Sequence, residues 1–261
     1  MNNSPRLAAA ILTKNEAANL PACLGAIPAG IPAIVVDSGS DDATIDIARA
    51  RDCRILTRPW TGFADQRNFT LRILRSRFDW VIFIDADEIF PEPIWSWIDA
   101  NLATLETDVV YLSQRLHIGG KMLRHAPHYP IYHPRLVRCR APVFTPNQSG
   151  HGETVIDALA VQYVDIPYLH YIVPRDLGPW LNKHVALAQV EAHAGPSLGK
   201  VTRRARLNAK MRPGPLRALA RFIFHYFVCG GWRDGRPGLI YSVLYGWYEL
   251  TKWLAALDPR G

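Results

Sequence analysis

The first 90 residues alternate short apolar runs with segments of helical character, and this alternation restricts the fold more than any other feature. The runs Leu7–Thr13, Ala33–Asp37 and 80–84 have the length and aliphatic content of strands buried on both faces. A further short strand is predicted at 54–57, and the intervening segments are predicted to be helical over 16–27, 41–51 and 65–75. Strands that alternate with helices predict an α/β fold with a mostly parallel sheet flanked by helices.

The pattern changes after residue 92. A helix is predicted over 94–105, and strands are predicted over Val109–Ile118, 135–139 and 161–169. A helix over 176–194 follows, and then two aromatic-rich helical segments, 216–228 and 239–254, flank a turn at 230–238. We therefore expect an α/β domain over 1–175 and a helical extension over 176–261.

Composition and cysteine usage exclude several classes of protein. Apolar residues make up 49% and charged residues 20% of the 261, which excludes long disorder and collagen-like structure. The four cysteines form no C-x-x-C pair, so a zinc ribbon or a disulfide scaffold is not expected, and reduced thiols in the cytoplasm fit better. No apolar run reaches the roughly 18 residues of a spanning helix, and the run 7–12 is too short for a signal peptide.

The net charge of +7 comes from one late segment. Between Ala192 and Arg233 the chain has nine basic residues and no acidic one, which leaves 21 of the 30 basic residues to balance 23 acidic ones elsewhere. Such a segment predicts an anionic partner, either a membrane or nucleic acid. The aromatic residues after Leu216 favour helices that lie in the interface of an anionic bilayer, with an ordinary core helix pair as the alternative. The basic residues are Lys200, Arg203, Arg204, Arg206, Lys210, Arg212, Arg217, Arg221 and Arg233.

Acidic residues follow the most apolar of the predicted strands. Asp85 and Asp87 stand in the sequence Asp-Ala-Asp-Glu directly after 80–84. Ligands of open α/β sheets bind beyond the carboxyl ends of the strands. Two carboxylates one residue apart can hold a hard divalent cation together with substrate phosphates. The alternative is a solvated acidic turn that caps the next helix, but the buried strand before it favours the metal site.

Polar side chains also follow the first two predicted strands. Thr13-Lys14-Asn15-Glu16 ends the first strand, and Asp37 ends the second, before a loop of small residues that enters a helix. The loop is not a P-loop, because it lacks the G-K-[ST] sequence. Each strand end has a local explanation, such as an aspartate that caps a turn, but three of them on one sheet edge indicate a ligand site.

Four motifs in the first half occur in the order and spacing of family 2 glycosyltransferases: I-L-T-K-N-E-A, V-V-D-S-G-S-D-D-A-T, G-F-A-D-Q-R-N and I-D-A-D-E. The chain resembles that family, which has the GT-A fold, and within it the lipopolysaccharide core glucosyltransferase branch. P-R-L-V-R, G-H-G-E-T-V, L-H-Y and G-G-W-R-D-G-R-P-G-L in the second half are similar to that branch. The resemblance implies a GT-A catalytic domain with a nucleotide-sugar half over about 1–105 and an acceptor half over about 106–175.

The resemblance implies a role for individual residues of the nucleotide-sugar half. Thr13, Asn15, Glu16 and Asp37 would line the nucleotide pocket, with Asp37 accepting a hydrogen bond from the base. Arg67 would lie near the nucleotide or its diphosphate. Asp85 would lie toward the ribose and the metal, and Asp87 would bind a divalent cation, Mg²⁺ or Mn²⁺, that bridges the diphosphate.

The second half supplies the remaining candidates. Glu153 is the candidate catalytic base, and related sequences have a histidine directly before it, whereas here Gly152 separates it from His151. His170 is a candidate third metal ligand or acceptor-site group, with a structural histidine as the alternative. His117, His125, His128 and His133 are expected to shape the acceptor pocket and match no metal-binding spacing.

These expectations combine into an inverting transferase. It would move a hexose from a nucleotide sugar, by resemblance a UDP-hexose, to a lipid-linked or cell-envelope glycan at the cytoplasmic face of the inner membrane, without binding nucleic acid. A nucleotidyltransferase with a similar sheet is an alternative, although residues 13–16 lack the Gly- and Lys/Arg-rich loop that binds a triphosphate in such enzymes. A non-catalytic membrane or nucleic-acid binding module is another, but it leaves the acidic strand ends unexplained, since carboxylates repel phosphate unless a metal intervenes.

Overall fold

The computed structural model describes residues 6–140, 142–146, 153–173, 177–193 and 214–257, without the side chains of Pro146, Glu153, Pro179 and His193. The strands are β1 Leu7–Thr13, β2 Ala33–Asp37, β3 Arg54–Thr57, β4 Trp80–Asp85, β5 Glu88–Ile89, β6 Val109–Ile118, β7 Lys121–Met122, β8 Tyr132–Arg138, β9 Phe144–Pro146, β10 Glu153–Val155 and β11 Val161–Tyr171. The helices are α1 Leu20–Gly25, α2 Thr44–Ala50, α3 Phe63–Leu74, α4 Glu92–Asn101, α5 Leu177–His193, α6 Pro215–Ile223 and α7 Arg236–Ala255. A π-helical turn, Phe224–Val228, continues α6, and a 3-10 turn, Gly231–Asp234, precedes α7.

Most of the strands form one large mixed sheet in the order β3-β2-β1-β4-β8-β6-β11-β5, with β7 paired to β6. The first four strands are parallel, as the strand–helix alternation predicts. β8 then lies antiparallel to β4 and to β6. The large sheet flanked by helices is thus confirmed. Its parallel half brings the carboxyl ends of β1, β2 and β4 to one edge.

The strands of the parallel half are buried on both faces because helices cover each side. Ala8 of β1 belongs to a buried cluster that contains Leu71 of α3, whereas Ala9 belongs to a second cluster that contains Ile94 of α4. Successive side chains of a strand point to opposite faces, so every position of β1 needs an apolar side chain. This explains the continuous apolar runs of the sequence.

The first two helices begin later than the sequence pattern predicts. α1 begins at Leu20 rather than residue 16 because side chains of the next βα loop hold this stretch as a turn: Thr44 accepts from the backbone N–H of Glu16, and Asp42 from that of Ala17. α2 begins at Thr44 rather than residue 41 for the reciprocal reason. The two loops therefore bond to each other instead of extending their helices.

The contacts divide the described residues into two compact units. The first takes in residues up to Arg115, together with 130–146 and 153–170, and the second takes in Leu116–Tyr129 and the chain from Tyr171 onward. Within the second unit, the carboxylate of Asp234 accepts hydrogen bonds from the backbone N–H groups of Arg124, His125 and Ala126. The loop 116–129 thus groups with the C-terminal helices, and the domain boundary at 175 stays a prediction. None of the helices described has both the length and the apolar character needed to cross a membrane.

Candidate active site

The loops after β1 and β2 form one hydrogen-bonded rim. Asn15 lies in the left-handed region, at φ 57°, which asparagine tolerates better than most residues. Its backbone N–H donates to Ser40 Oγ at 2.8 Å, and its Oδ1 accepts from the backbone N–H of Asp41 at 2.9 Å. Glu16 accepts a hydrogen bond from Asn19 at 2.8 Å. The structure therefore brings Thr13, Asn15, Glu16 and Asp37 together at one sheet edge.

Asp37 anchors this rim from inside. Its buried carboxylate accepts hydrogen bonds from Thr13 Oγ1 at 2.9 Å, from Ser40 Oγ at 2.5 Å, and from the backbone N–H groups of Gly39 and Ser40 at 2.8 Å each. Burial alone would raise the pKa of Asp37, but the hydrogen bonds from Ser40, Thr13 and Gly39 outweigh it and lower that pKa. These contacts give Asp37 a role in shaping the loop, and its predicted bond to a base stays a prediction.

Asp85, at the carboxyl end of β4, is held between two buried arginines. Its Oδ1 accepts from Arg67 Nη2 of α3 at 3.1 Å, and its Oδ2 accepts from Arg135 Nη2 of β8 at 2.9 Å. The Arg67 guanidinium lies over the ring of Phe83, and that of Arg135 lies over the ring of Tyr168. This arrangement fixes the Asp85 carboxylate in one orientation. Its predicted contacts to ribose and metal stay predictions.

Glu88 completes a buried charge cluster around Arg135. Its fully buried carboxylate accepts hydrogen bonds from Arg135 and, at 3.1 Å, from the backbone N–H of Asp85. Burial raises the pKa of Glu88 to about 7, although Arg135 pulls it in the opposite direction. The last acid of the Asp-Ala-Asp-Glu sequence therefore points inward, and its hydrogen bonds stabilise the turn that carries Asp85 and Asp87.

Asp87 and His170 face each other across this turn. Asp87 Oδ2 lies 3.4 Å from His170 Nε2, and both side chains are partly exposed. His170 Nδ1 lies 2.9 Å from Gln114 Oε1, a contact that holds the ring with Nε2 on the side of Asp87. Burial opposes the charge of His170, but the Asp87 carboxylate outweighs it and raises the pKa of His170.

The Asp87 and His170 pair fits a divalent cation whose remaining ligands come from a substrate. Among the residues described, no three His, Cys, Asp or Glu side chains converge in an arrangement suited to a metal ion. Magnesium-type sites commonly use one or two protein ligands and complete their shell with water and substrate phosphates. Two adjacent ligands of such an ion lie roughly 3 Å apart for bonds of about 2.1 Å, close to the 3.4 Å separation of Asp87 Oδ2 and His170 Nε2.

The candidate base lies at the margin of what the structure describes. The backbone of Glu153 opens β10 and pairs with Pro146 of β9, but its side chain and the whole of His151 and Gly152 lie outside the described residues. Asn68, next to Arg67 on α3, donates to the carbonyl of Phe144 at 2.7 Å and so fixes β9 against the site. The role of Glu153 stays a prediction.

The candidate histidines of the second half separate into two groups. His133 lies in the first unit, 2.7 Å from the Tyr168 hydroxyl, and burial together with the nearby Arg135 cation lowers its pKa to about 3. His117, His125 and His128 belong to the second unit. Of these four, His133 thus lies in the same unit as the Asp85 cluster and close to its Arg135.

Three residues of the site escaped the sequence predictions: Arg135, Glu88 and Gln114. Arg135 is a buried charge inside the apolar strand β8, and Gln114 is a buried amide inside β6. A charged or amide residue at an inward strand position is the signal that could have singled them out, because such groups are buried only when they are paired.

A comparison with models of protein families identifies the family of this chain. The model of the family described as Glycosyl transferase family 2 matches residues 9–152, more than half of the chain. The chain belongs to this family. The matched residues include every predicted nucleotide-sugar residue and Asp87, whereas Glu153 and His170 lie beyond them.

Individual relatives of this family 2 glycosyltransferase match part of its sequence. An uncharacterized glycosyltransferase of Rickettsia bellii is 33% identical over 104 residues, 40% of this chain and 35% of that protein. A lipopolysaccharide core biosynthesis glycosyltransferase of Rhizobium meliloti is 33% identical over 87 residues, 31% of this chain and 32% of that protein. The chain thus spans about a third of the length of these curated relatives.

Among solved structures, a mannosyltransferase from Pyrobaculum calidifontis in complex with GDP-Man and Mn²⁺ is 15% identical to this family 2 glycosyltransferase. The likeness covers 100% of this chain and 89% of that chain, with a TM-score of 0.59. At this level of identity the likeness bears on the fold alone, and it confirms the GT-A-like architecture that the sequence predicts.

Proposed function

We propose that this family 2 glycosyltransferase transfers a hexose from a nucleotide sugar to a glycan acceptor, with the help of a divalent cation and with inversion at the anomeric carbon. The observation that carries the proposal is the pairing of Asp87 with His170 directly beside the arginine-held Asp85. It lies at the sheet edge where the rim formed by 13–16 and 37–44 also ends.

The rim and the Asp85 cluster would hold the donor. Thr13, Asn15, Glu16 and Asp37 would shape the pocket for the base, with Asp85 and Arg67 next to the ribose and diphosphate. Arg67 and Arg135 place two buried cations around the partly exposed carboxylate of Asp85, so the negative charge of a diphosphate would enter a region that is not uniformly acidic. That balance favours a diphosphate ligand over an uncharged one.

The candidate ligands of the cation are Asp87 and His170, with Asp85 oriented beside them. A divalent ion bound there would stabilise the negative charge that grows on the departing nucleoside diphosphate. The contribution of this chain would be to orient the Asp85 carboxylate through Arg67 and Arg135 and to hold the His170 ring through Gln114. The Asp87 carboxylate suits Mg²⁺ and Mn²⁺ alike, whereas the His170 imidazole favours Mn²⁺ of the two.

Glu153 would accept the proton of the acceptor hydroxyl as that oxygen attacks the anomeric carbon. The bond from that carbon to the diphosphate oxygen breaks as the new glycosidic bond forms, so a single displacement inverts the configuration. The location of Glu153 at the start of β10, beyond the nucleotide-sugar half, suits a base on the acceptor side of the sugar.

A lipopolysaccharide core-like acceptor is the proposed substrate class, with a UDP-hexose as donor. The supporting observation is the identity to a Rhizobium meliloti protein named for lipopolysaccharide core biosynthesis. An acceptor of this type is attached to lipid at the cytoplasmic face of the inner membrane, so the enzyme would work as a peripheral protein there.

The test is a transfer assay with a panel of nucleotide sugars, Mn²⁺ and a lipid-linked core glycan. The wild type is expected to release nucleoside diphosphate and to form a product of inverted anomeric configuration by NMR. Asp87→Asn is expected to be inactive, whereas Asp46→Asn, on the exposed surface of α2, serves as the matched control. Retention of configuration, or no transfer from any donor by a protein that unfolds cooperatively, would refute the proposal.

A further inference from the structure

Helix α6 of the second unit turns its charged side chains inward and its apolar side chains outward. The surface helices of water-soluble proteins normally do the opposite. Arg217 Nε lies 2.9 Å from Glu249 Oε2 of α7, and Arg221 Nε lies 3.5 Å from Glu249 Oε1. Lys252 Nζ lies 3.2 Å from the same Glu249 carboxylate and also contacts Glu191 of α5. Glu249 is only 4% exposed. The charged side chains of α6 thus point inward and are neutralised inside the helical unit.

The apolar side chains of α6 point outward instead. Leu216 is 78%, Leu219 54% and Ile223 42% exposed, and Phe227, in the π-helical turn that follows, is 59% exposed. Their spacing of three or four residues places them on one side of the helix. We call these four residues the α6 apolar face. A surface helix normally turns this face to the core, so the face needs an apolar environment outside the unit.

The charged residues near the α6 apolar face indicate which apolar environment covers it. In the sequence from 214 to 248 the only acidic residue is Asp234, and both of its carboxylate oxygens accept backbone N–H groups of the loop 124–126. Arg233 and Arg236 are exposed beside the exposed ring of Trp232. Six further basic residues, at 200–212 and outside the described residues, directly precede α6 in the sequence. Positive charge and an interfacial tryptophan beside an uncharged apolar face suit the surface of an anionic bilayer.

We propose that the α6 apolar face lies in the interface of an anionic lipid bilayer. Leu216, Leu219, Ile223 and Phe227 insert at the boundary of headgroups and acyl chains. Trp232 lies at headgroup level, and Arg233 and Arg236 contact anionic headgroups. The ion pairs of Glu249 make this arrangement feasible, because they keep Arg217 and Arg221 away from the acyl chains. The inference deepens the peripheral location in the proposed function, and it concerns lipid binding rather than transfer, so flotation can fail while transfer activity is kept.

Flotation with the full-length chain tests the insertion. Vesicles that contain phosphatidylglycerol are expected to carry the wild type, and pure phosphatidylcholine vesicles are expected to carry much less. Leu219→Ser combined with Ile223→Ser is expected to lower the partition coefficient by about tenfold or more for each side chain removed. The matched control combines Ile73→Ser and Val161→Ser, which are exposed apolar residues of the first unit, and is expected to float like the wild type.

Tryptophan quenching by brominated lipids locates the face at the membrane. Trp232 and Trp60 are similarly exposed, at 58% and 48%, but belong to different units. Trp232→Phe is expected to remove the quenched part of the fluorescence, and Trp60→Phe is expected to retain it. The inference is overturned if the Ser variant floats like the wild type, or if phosphatidylcholine vesicles bind equally well. It is also overturned if lipid-free protein dimerises and the Ser variant abolishes only that dimer, since a second copy would then cover the face.

Discussion

Arg135 in the middle of β8 donates a hydrogen bond of 2.9 Å to Asp85 at the carboxyl end of β4, and the same Nη2 donates to the buried Glu88. One guanidinium thus links the sheet interior to both ends of the Asp-Ala-Asp-Glu turn. Because buried charges are tolerated only when they are paired, Arg135 and Glu88 form a unit that orients Asp85. Arg135 is a positioning residue in this account.

Substitutions at Arg135 and Glu88 can distinguish an effect on the stability of the protein from an effect on its transfer activity. Arg135→Met is expected to lower the free energy of unfolding by about 3–5 kcal/mol, because it leaves Glu88 buried without its partner. Arg135→Met combined with Glu88→Met removes both charges and is expected to recover most of that loss, but not the transfer activity, because Asp85 still lacks one anchor. Urea unfolding and transfer rates measure the two effects. Recovery of activity in the double variant would show that Arg135 acts only on stability.

Glu153→Gln tests the catalytic base. Glutamine keeps the size of the side chain but cannot accept a proton, so kcat is expected to fall by about 10²–10⁴, while donor binding stays unchanged. Glu106→Gln, at an exposed position of the first unit, is the control. Full turnover in Glu153→Gln would assign the base to another residue.

Close packing explains two glycines of the G-G-W-R-D-G-R-P-G sequence, Gly231 and Gly238. A Cβ on Gly238 of α7 would lie 1.9 Å from the carbonyl oxygen of Gly231, so Gly238→Ala must displace the backbone. Gly25→Ala meets nothing within 4 Å and is the matched control. Gly238→Ala is expected to destabilise the second unit by about 1–3 kcal/mol, measured by chemical unfolding. Equal stability of the two variants would contradict the packing.

His225 gives the second unit an acid-sensitive contact. Burial lowers its pKa, and Arg221 and His128 lower it further, against the hydrogen bond that its ring makes to the carbonyl of Ala126. The unfolded chain therefore binds this proton more readily than the folded chain. Stability is expected to fall as the pH drops below about 6.5 and to level off below the lowered folded pKa.

Urea midpoints of the wild type between about pH 7.5 and 5 measure this dependence, and His225→Gln is expected to weaken it. Besides Arg221 and His128, the rings of Tyr241 and Tyr245 face His225 from α7. Burial raises the pKa of Tyr241, so this ring leaves the direction of the effect unchanged. An identical pH dependence in His225→Gln would exclude His225 as its source.

The parallel half of the fold was predictable because its strands are buried on both faces and therefore read as continuous apolar runs. The position of Asp85 and Asp87 at a strand end follows directly from the end of the run 80–84. The insertion of β8 between β4 and β6 was not predictable, since chain order does not encode which strand becomes the neighbour of β4. Arg135 therefore reaches Asp85 across 50 residues of sequence, and only the sheet register shows the contact.

The shortest strands, and the choice of which face of α6 turns inward, could not be predicted from the sequence. β5, β9 and β10 have only two or three residues each. This is too few residues for an alternation of apolar and polar side chains to be recognised. The period of α6 predicts an amphipathic helix, but periodicity cannot say which face turns inward. That choice depends on Glu249, about 30 residues later, which draws Arg217 and Arg221 toward α7.

Calorimetric titration of nucleoside diphosphates tests the central claim most directly. The wild type and Asp87→Asn are each titrated with UDP, GDP and ADP, in Mn²⁺ and in chelator. For at least one nucleotide the account predicts binding by the wild type that depends on Mn²⁺ and that Asp87→Asn weakens by more than about 100-fold, since changes behind a metal ligand alone cost about 10–100-fold. Equal affinity of the wild type with and without Mn²⁺, or an unchanged affinity in Asp87→Asn, would contradict the proposed role of Asp87.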